Sequence, residues 1–287
     1  MEYSILNNGV KMPLLGFGVY QINDLTLCEN TVLDAIQAGY RMIDTAQGYF
    51  NEEAVGKAIS KSDVPREDLF ITTKLWMTDA TYEQAKVAFF DSLNRLGLDY
   101  LDLYLIHQPF NDIYGAWRAM TELYHDGYIR AIGVSNFYSD RLTDFVLHNE
   151  VTPAVAQIEV HPFHQQQNAI ETMQRYRIQP EAWGPFVQGK LGVFQNEILN
   201  MIGAKYGKSA SQIALRWLTQ RKIAAIPKSI HRNHIEENIN IFDFHLTDDE
   251  MELISGLEKG QSVAPSLRDP AFIKELSTLG GGKSGAK

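Results

Sequence analysis

The chain has 287 residues, 45% apolar and 21% charged, with a net charge of −9, a globular composition with no general attraction for nucleic acid or anionic membrane. Its single cysteine, Cys28, excludes an intramolecular disulfide and a cysteine metal cluster. No apolar run approaches the ~20 residues of a membrane span, and the amino terminus lacks the regions of a secretion signal, so a cytoplasmic protein is the simplest reading.

Residues 3–6 and 10–12 flank Asn7-Asn8-Gly9 as a short hairpin. Strands and helices then alternate. Strand-like runs cover 14–20, 40–46, 69–76, 100–108, 129–136, 154–162, 178–186 and 223–229. Helical periodicity covers 26–39, 52–62, 81–97, 113–127, 139–149, 166–177, 209–222 and 233–242, and a ninth, outer helix covers 247–260. Gly39 and Gly97 read as helix stops, Ser209 as an N-cap, and Thr247 with Glu250 as a capping box. Pro180 makes its strand an awkward one. Residues 187–208 form an excursion with no assigned element. From about 263 the chain reads as a carboxyl-terminal loop and a frayed, flexible tail.

The strand runs are mostly apolar throughout, as in parallel sheets covered on both faces. Eight such units, with no linker between them, predict a single (β/α)8 TIM barrel domain over 1–287, with an N-terminal β-hairpin and extra outer helices. A doubly wound open sheet is the rival. The barrel predicts that chemistry gathers at the carboxyl ends of the strands.

Those ends carry a short list of polar residues. Strand two ends at Asp44, strand three at Lys74 and strand four at His107; Tyr49 follows Asp44 on its loop. A buried carboxylate needs a cation, and Lys74 is the natural partner. A lysine beside a tyrosine favours phenolate, so Lys74 is expected to lower the Tyr49 pKa from ~10 and make it a usable proton donor. His107 is placed to hydrogen-bond the oxygen that Tyr49 protonates. Taken singly, these residues are an ion pair, a core histidine and a packing tyrosine. Their convergence at one end of the barrel points to carbonyl chemistry.

The segments IDTAQGYFNEE, TTKLW, LIHQP, GVSNF, QIEVHP and IPKS…EEN, in this order from about residue 5 to 262, resemble the aldo-keto reductase family, and most of all its small bacterial diketogluconate-reductase-like members. The resemblance implies reversible, NAD(P)H-dependent reduction of an aldehyde or ketone, with no metal required. It implies a tetrad of Asp44, Tyr49, Lys74 and His107. Ser135, Asn136 and Gln157 match the residues that hold the nicotinamide carboxamide, and Trp183 the aromatic that stacks on its ring. Lys228 and Ser229 approach the adenosine ribose phosphate, and Glu237 with Asn238 the adenine. The family's usual arginine six residues after that lysine is here His234, a weaker anion ligand. Arg232 and His231 are the candidates to compensate. NADP(H) is therefore the expected cofactor, with NAD(H) as the alternative. Tyr20, Trp76, Gln108 and Phe110 are expected to line the substrate pocket. Gln108 stands where relatives carry tryptophan, which makes the pocket less apolar. A short carboxyl-terminal lid predicts a small, permissive pocket for a small carbonyl substrate.

Other motifs carry less. GFGVYQ has Gln21 where a dinucleotide loop needs its third glycine, and the final GGGKSG has Ser277 where a P-loop needs its first. HPFH and HRNH lack a third metal ligand. GVSNF lacks the second glycine of a nucleophile elbow. Two rival functions remain: a non-catalytic barrel that keeps a cofactor site, and a glycoside hydrolase pairing Glu159 with Asp44. Nothing in the sequence sets an oligomeric state.

Overall fold

A computed structural model of the chain describes residues 1–279. Most of the expected tail, including the glycine-rich run from 280, lies outside the described residues.

The hairpin is present. Strand β1 (Tyr3–Ile5) pairs antiparallel with β2 (Lys11–Pro13), Ser4 opposite Met12. Eight parallel strands follow in chain order: β3 (Phe17–Gly18), β4 (Met42–Asp44), β5 (Phe70–Leu75), β6 (Leu103–Ile106), β7 (Ile132–Ser135), β8 (Val155–Glu159), β9 (Gln179–Trp183) and β10 (Ala224–Ala225). The two ends of this sheet meet. Leu15 bridges Ala225 in parallel, Gly16 N–H reaches the Ala225 carbonyl at 2.9 Å, and Gly18 N–H reaches that of Pro227 at 3.0 Å. The sheet is thus a closed (β/α)8 barrel. Gly18 of GFGVYQ serves this closure: a Cβ there would lie 3.2 Å from the Ile226 carbonyl oxygen.

The strands are shorter than their apolar runs. Val19, beyond the end of β3, still gives its N–H to the Asp44 carbonyl at 3.2 Å and is buried in the main core. That layer comprises α1 (Leu25–Ala38), α2 (Glu52–Lys61), α3 (Tyr82–Leu96), α4 (Ile113–His125), α5 (Ser139–Leu147), α6 (Gln167–Arg175), α7 (Glu197–Tyr206), α8 (Ala210–Gln220), α9 (Arg232–Ile239), α10 (Asp248–Ser255) and α11 (Pro270–Thr278). Gly39 ends α1 in the left-handed region at φ 108°. Both Ser209–Gln212 and Thr247–Glu250 form full capping boxes.

Two helices fall where none was expected. Helix α7 occupies the excursion, with Asn196 accepting from Leu199 N–H and Gly207 ending it at φ 64°. Helix α11 lies in the segment read as loop, opened by Asp269 and by Pro270 in its first turn. Among the described residues no helix is long and apolar enough to cross a membrane.

The barrel interior has two levels. At the amino end, Leu6 and Met12 from the hairpin region close over Met42, Leu103, Leu105 and Val155. At the carboxyl end the same strands turn charged residues inward. At the amino-terminal face, Asp102, wholly buried, accepts from Ile71 N–H at 2.9 Å and pairs with Arg66 and Arg130 at 2.7 Å each. Losing that carboxylate leaves a buried amide unpaired and two half-exposed guanidinium groups without their partner. Asp102→Ala is expected to cost ~2–3 kcal/mol, read as a lower urea midpoint at unchanged slope, with the carboxyl ends of the strands untouched.

Candidate active site

Asp44 is the last residue of β4 and Lys74 the fifth of β5, so adjacent strands place their side chains together inside the barrel. Both are buried, Asp44 at 1% and Lys74 at 0% exposure. Lys74 Nζ donates to Asp44 Oδ1 at 2.5 Å and to the Thr45 carbonyl at 3.0 Å, and lies 3.4 Å from Tyr49 Oη. Tyr49 closes a 3-10 turn, Gln47–Tyr49, directly after β4. Its position is fixed by buried side chains around it. Gln47 accepts from Trp76 N–H at 2.9 Å. Asn51 donates to the Val19 carbonyl at 3.0 Å and accepts from Thr45 Oγ1 at 2.8 Å. His107 stands edge-on to Tyr49, ring centroids 5.6 Å apart, and edge-on to Trp76 at 5.0 Å. The four residues expected to converge do so.

Their electrostatics differ from expectation at one point. Burial works against the Lys74 ammonium, but Asp44 and Tyr49 outweigh it and hold its pKa above the usual lysine value. Burial, reinforced by Lys74, pushes His107 well down, so it is neutral at pH 7. Tyr49 was expected to be acidified. Instead burial pushes it up to about 12, because removing water from a phenolate costs more than the Lys74 charge returns, and Asp44 adds to the rise.

A further acid sits in the same layer. Glu181, on β9, is wholly buried and in register with Gln157 on β8. Gln157 Nε2 donates both to Asp44 Oδ2 at 2.9 Å and to Glu181 Oε2 at 2.8 Å. The sequence reading passed over Glu181; its signal was a charged residue two positions before Trp183, hence on the same inward face of an otherwise buried strand.

Ser135 ends β7 and is 1% exposed. Asn136, at φ 64°, donates to the His107 carbonyl and to Ser135 Oγ, both at 3.0 Å, and accepts from Trp183 Nε1 at 2.9 Å. Its amide therefore fixes the indole of Trp183. The residues expected at the far end of the cofactor gather around the start of α9. Lys228 is exposed, and Ser229 Oγ accepts from His231 N–H at 3.1 Å. The His231 and His234 rings lie 5.4 Å apart and face solvent. Arg232 is engaged elsewhere, by Asp34 of α1 at 3.1 Å and Glu236 at 2.9 Å. Glu237 is half-buried and Asn238 buried on the same helix.

One cavity of about 970 Å³ runs from Tyr49, His107 and Trp183 to Lys228; Ser229, His231, Arg232, His234, Glu237 and Asn238 do not line it. It takes in residues expected at the cofactor and residues expected at the substrate pocket together. Tyr20, Trp76 and Gln108 line it as expected, and Gln108 Oε1 is buried without a partner. Phe110 is not a lining residue. It packs behind, with Trp76, Met77 and the α11 side chains Phe272 and Leu276, because α11 crosses over the mouth. The expected short lid is thus a longer wall built from residues 262–267 and α11. Glu159 at the end of β8 fastens it, accepting from Ser262 Oγ at 2.5 Å and Val263 N–H at 2.7 Å, and from His161 Nε2 at 2.9 Å. Burial opposes the Glu159 charge, but these donors hold its pKa below the usual carboxylate value. With Glu159 so engaged and Asp44 paired to Lys74, the pair the rival reading needs is not free for glycoside hydrolysis.

Comparison with known proteins adds to this geometry. Residues 15–259 match the model of the aldo/keto reductase family. The chain is 47% identical over 262 residues to glyoxal reductase of Bacillus subtilis, covering 91% of this chain and 94% of that protein. It is 41% identical over 263 residues to methylglyoxal reductase DkgA of Escherichia coli, with the same coverage of 91% and 94%. Among solved structures, an aldo-keto reductase enzyme from a Medee basin deep-sea metagenome library superposes with a TM-score of 0.90 at 39% identity, covering 93% of this chain and 98% of that one. A Bombyx mori aldo-keto reductase in complex with NADP gives 0.89 at 35% identity, covering 96% and 97%. A closed barrel whose catalytic end carries this buried lysine, aspartate, tyrosine and histidine, matched over nearly its whole length, places the chain in the aldo/keto reductase family of carbonyl-reducing oxidoreductases.

Proposed function

We propose that the chain reduces aldehydes and ketones to alcohols, reversibly, with NADP(H) preferred and Tyr49 as the proton donor. The observation that carries this reading is the approach of Tyr49 Oη to the buried Lys74 ammonium, 3.4 Å, at a cavity also lined by His107 and Trp183. Relatives named for glyoxal and methylglyoxal make dicarbonyls the first substrates to test.

A nicotinamide dinucleotide fits the residues present. Ser135 and Gln157 offer hydrogen-bonding groups for a carboxamide, Trp183 an aromatic face, and Lys228 a cation for phosphate, all on one cavity. When bound in reduced form, the cofactor supplies a hydride to the carbonyl carbon. Tyr49 gives its phenolic proton to the carbonyl oxygen as negative charge grows there. The forming alkoxide is a stronger base than phenolate, so a phenol protonated up to about 12 is a ready acid at neutral pH. Lys74 then stabilises the phenolate, and Asp44 holds Lys74. His107, neutral, presents an N–H to the same oxygen. In the reverse direction the phenolate is the base, so alcohol oxidation quickens as pH rises.

At the adenosine end Arg232 is committed to Asp34 and Glu236. The 2′-phosphate of NADP(H) then falls to Lys228, Ser229, His231 and His234, and the adenine to Glu237 and Asn238. Neutral histidines discriminate less than an arginine fork, so NAD(H) is tolerated.

Tyr49→Phe removes the transferred proton and little else. Its kcat with methylglyoxal, followed as loss of nicotinamide absorbance, is expected to fall roughly 10²–10⁴-fold with KM changed only a few-fold. Undiminished turnover excludes Tyr49 as the donor. With wild type, kcat/KM for NADPH is expected to exceed that for NADH by about tenfold, the scale of a single charged contact. The reverse order refutes the preference.

A further inference from the structure

Glu181 is a buried acid that the mechanism above leaves unused. Its surroundings are defined on every side: Asp44 from β4, Lys74 from β5, Gln157 in register from β8, and from β10 the uncharged Ala224. One ammonium therefore faces two carboxyl groups. Gln157 links them, its Nε2 donating to Asp44 Oδ2 and to Glu181 Oε2. With both amide hydrogens so used, the amide has one orientation. Its oxygen, Oε1, accepts no hydrogen bond from the described residues, and Gln157 lines the cavity. Glu181 Oε1 is buried without a partner.

We propose that Glu181 is a positioning residue for carbonyl reduction: as a neutral carboxyl it shares with Asp44 the task of orienting the Gln157 amide, and its ionisation sets an alkaline limit to the reaction. This rests on the function proposed above. While Glu181 is protonated, Asp44 and Lys74 balance one another. Once it ionises, a second negative charge draws on the same ammonium. The Tyr49 phenolate loses support, and charge on the carbonyl oxygen meets repulsion. Burial, followed by Asp44, pushes Glu181 up to about 8, against the Gln157 hydrogen bond and Lys74. Tyr49, at about 12, titrates far above this, so the two origins of an alkaline fall are separable.

Two variants test the idea. Glu181→Gln keeps the shape and an acceptor but cannot ionise. In wild type the reductive kcat is expected to fall as pH rises through about 8; in Glu181→Gln that fall moves up by at least about one pH unit. Glu181→Leu removes the acceptor. Its NADPH dissociation constant, read by tryptophan fluorescence without turnover, is expected to rise about tenfold, with Glu181→Gln restoring most of the affinity. An alkaline fall at the same pH in Glu181→Gln, a wild-type profile flat through that range, or unchanged NADPH affinity in folded Glu181→Leu each overturns the proposal. If Glu181→Leu does not fold, the Glu181→Gln profile decides alone. If wild type reduces no carbonyl, the function fails separately, and the fluorescence titration still decides whether Glu181 positions the cofactor contact.

Discussion

A lysine ammonium with no exposed surface, at the catalytic end of a barrel, is the constraint around which this molecule is arranged. Burying such a charge costs several kcal/mol unless it is paired and hydrogen-bonded. Lys74 meets that demand with Asp44, the Thr45 carbonyl and the Tyr49 oxygen. The neighbourhood of β4 and β5, the turn after β4 and the side chains of Gln47 and Asn51 all keep those acceptors in reach. The same charge acts outward. It reinforces the burial that keeps His107 neutral and opposes the burial that keeps Tyr49 protonated.

Two buried aspartates show how position decides use. Asp102 lies at the amino-terminal face and spends its oxygens on a backbone amide and two arginines, which fixes strand register and nothing that a ligand reaches. Asp44 lies at the opposite face, bordering the cavity. Between them the barrel is filled by apolar side chains that the N-terminal hairpin region seals from below. The polar cluster is thereby confined to one end, above an apolar floor.

Much of this was legible in the sequence. The alternation of apolar runs with helical periodicity gave the barrel, because parallel strands covered on both faces leave that pattern. Asp44, Lys74 and His107 stood out because each ends such a run. Glu181 did not, since its strand was read through to Phe186 and the charge fell in the middle. The state of Tyr49 was misjudged for a physical reason: a sequence names neighbouring charges but not how completely water is removed from them. Arg232 stood as a candidate anion ligand, and its pairing with Asp34, 198 positions away, left no local mark. Helices α7 and α11 carried caps at Asn196 and Asp269, but 187–208 was given no element and the segment from about 263 was read as loop and tail.

The fastening of the carboxyl-terminal wall has its own implication. Residues 262–267 and α11 contribute one side of the cavity, and this segment meets the barrel through Glu159, the small apolar cluster around Trp76, Val263 on the main core and Arg268 over the Tyr138 ring. Nothing in that wall takes part in closing the sheet or in sealing the hairpin end. A change confined to this peripheral segment would therefore reshape one side of the cavity while leaving the closed sheet and the Asp44–Lys74 pair in place.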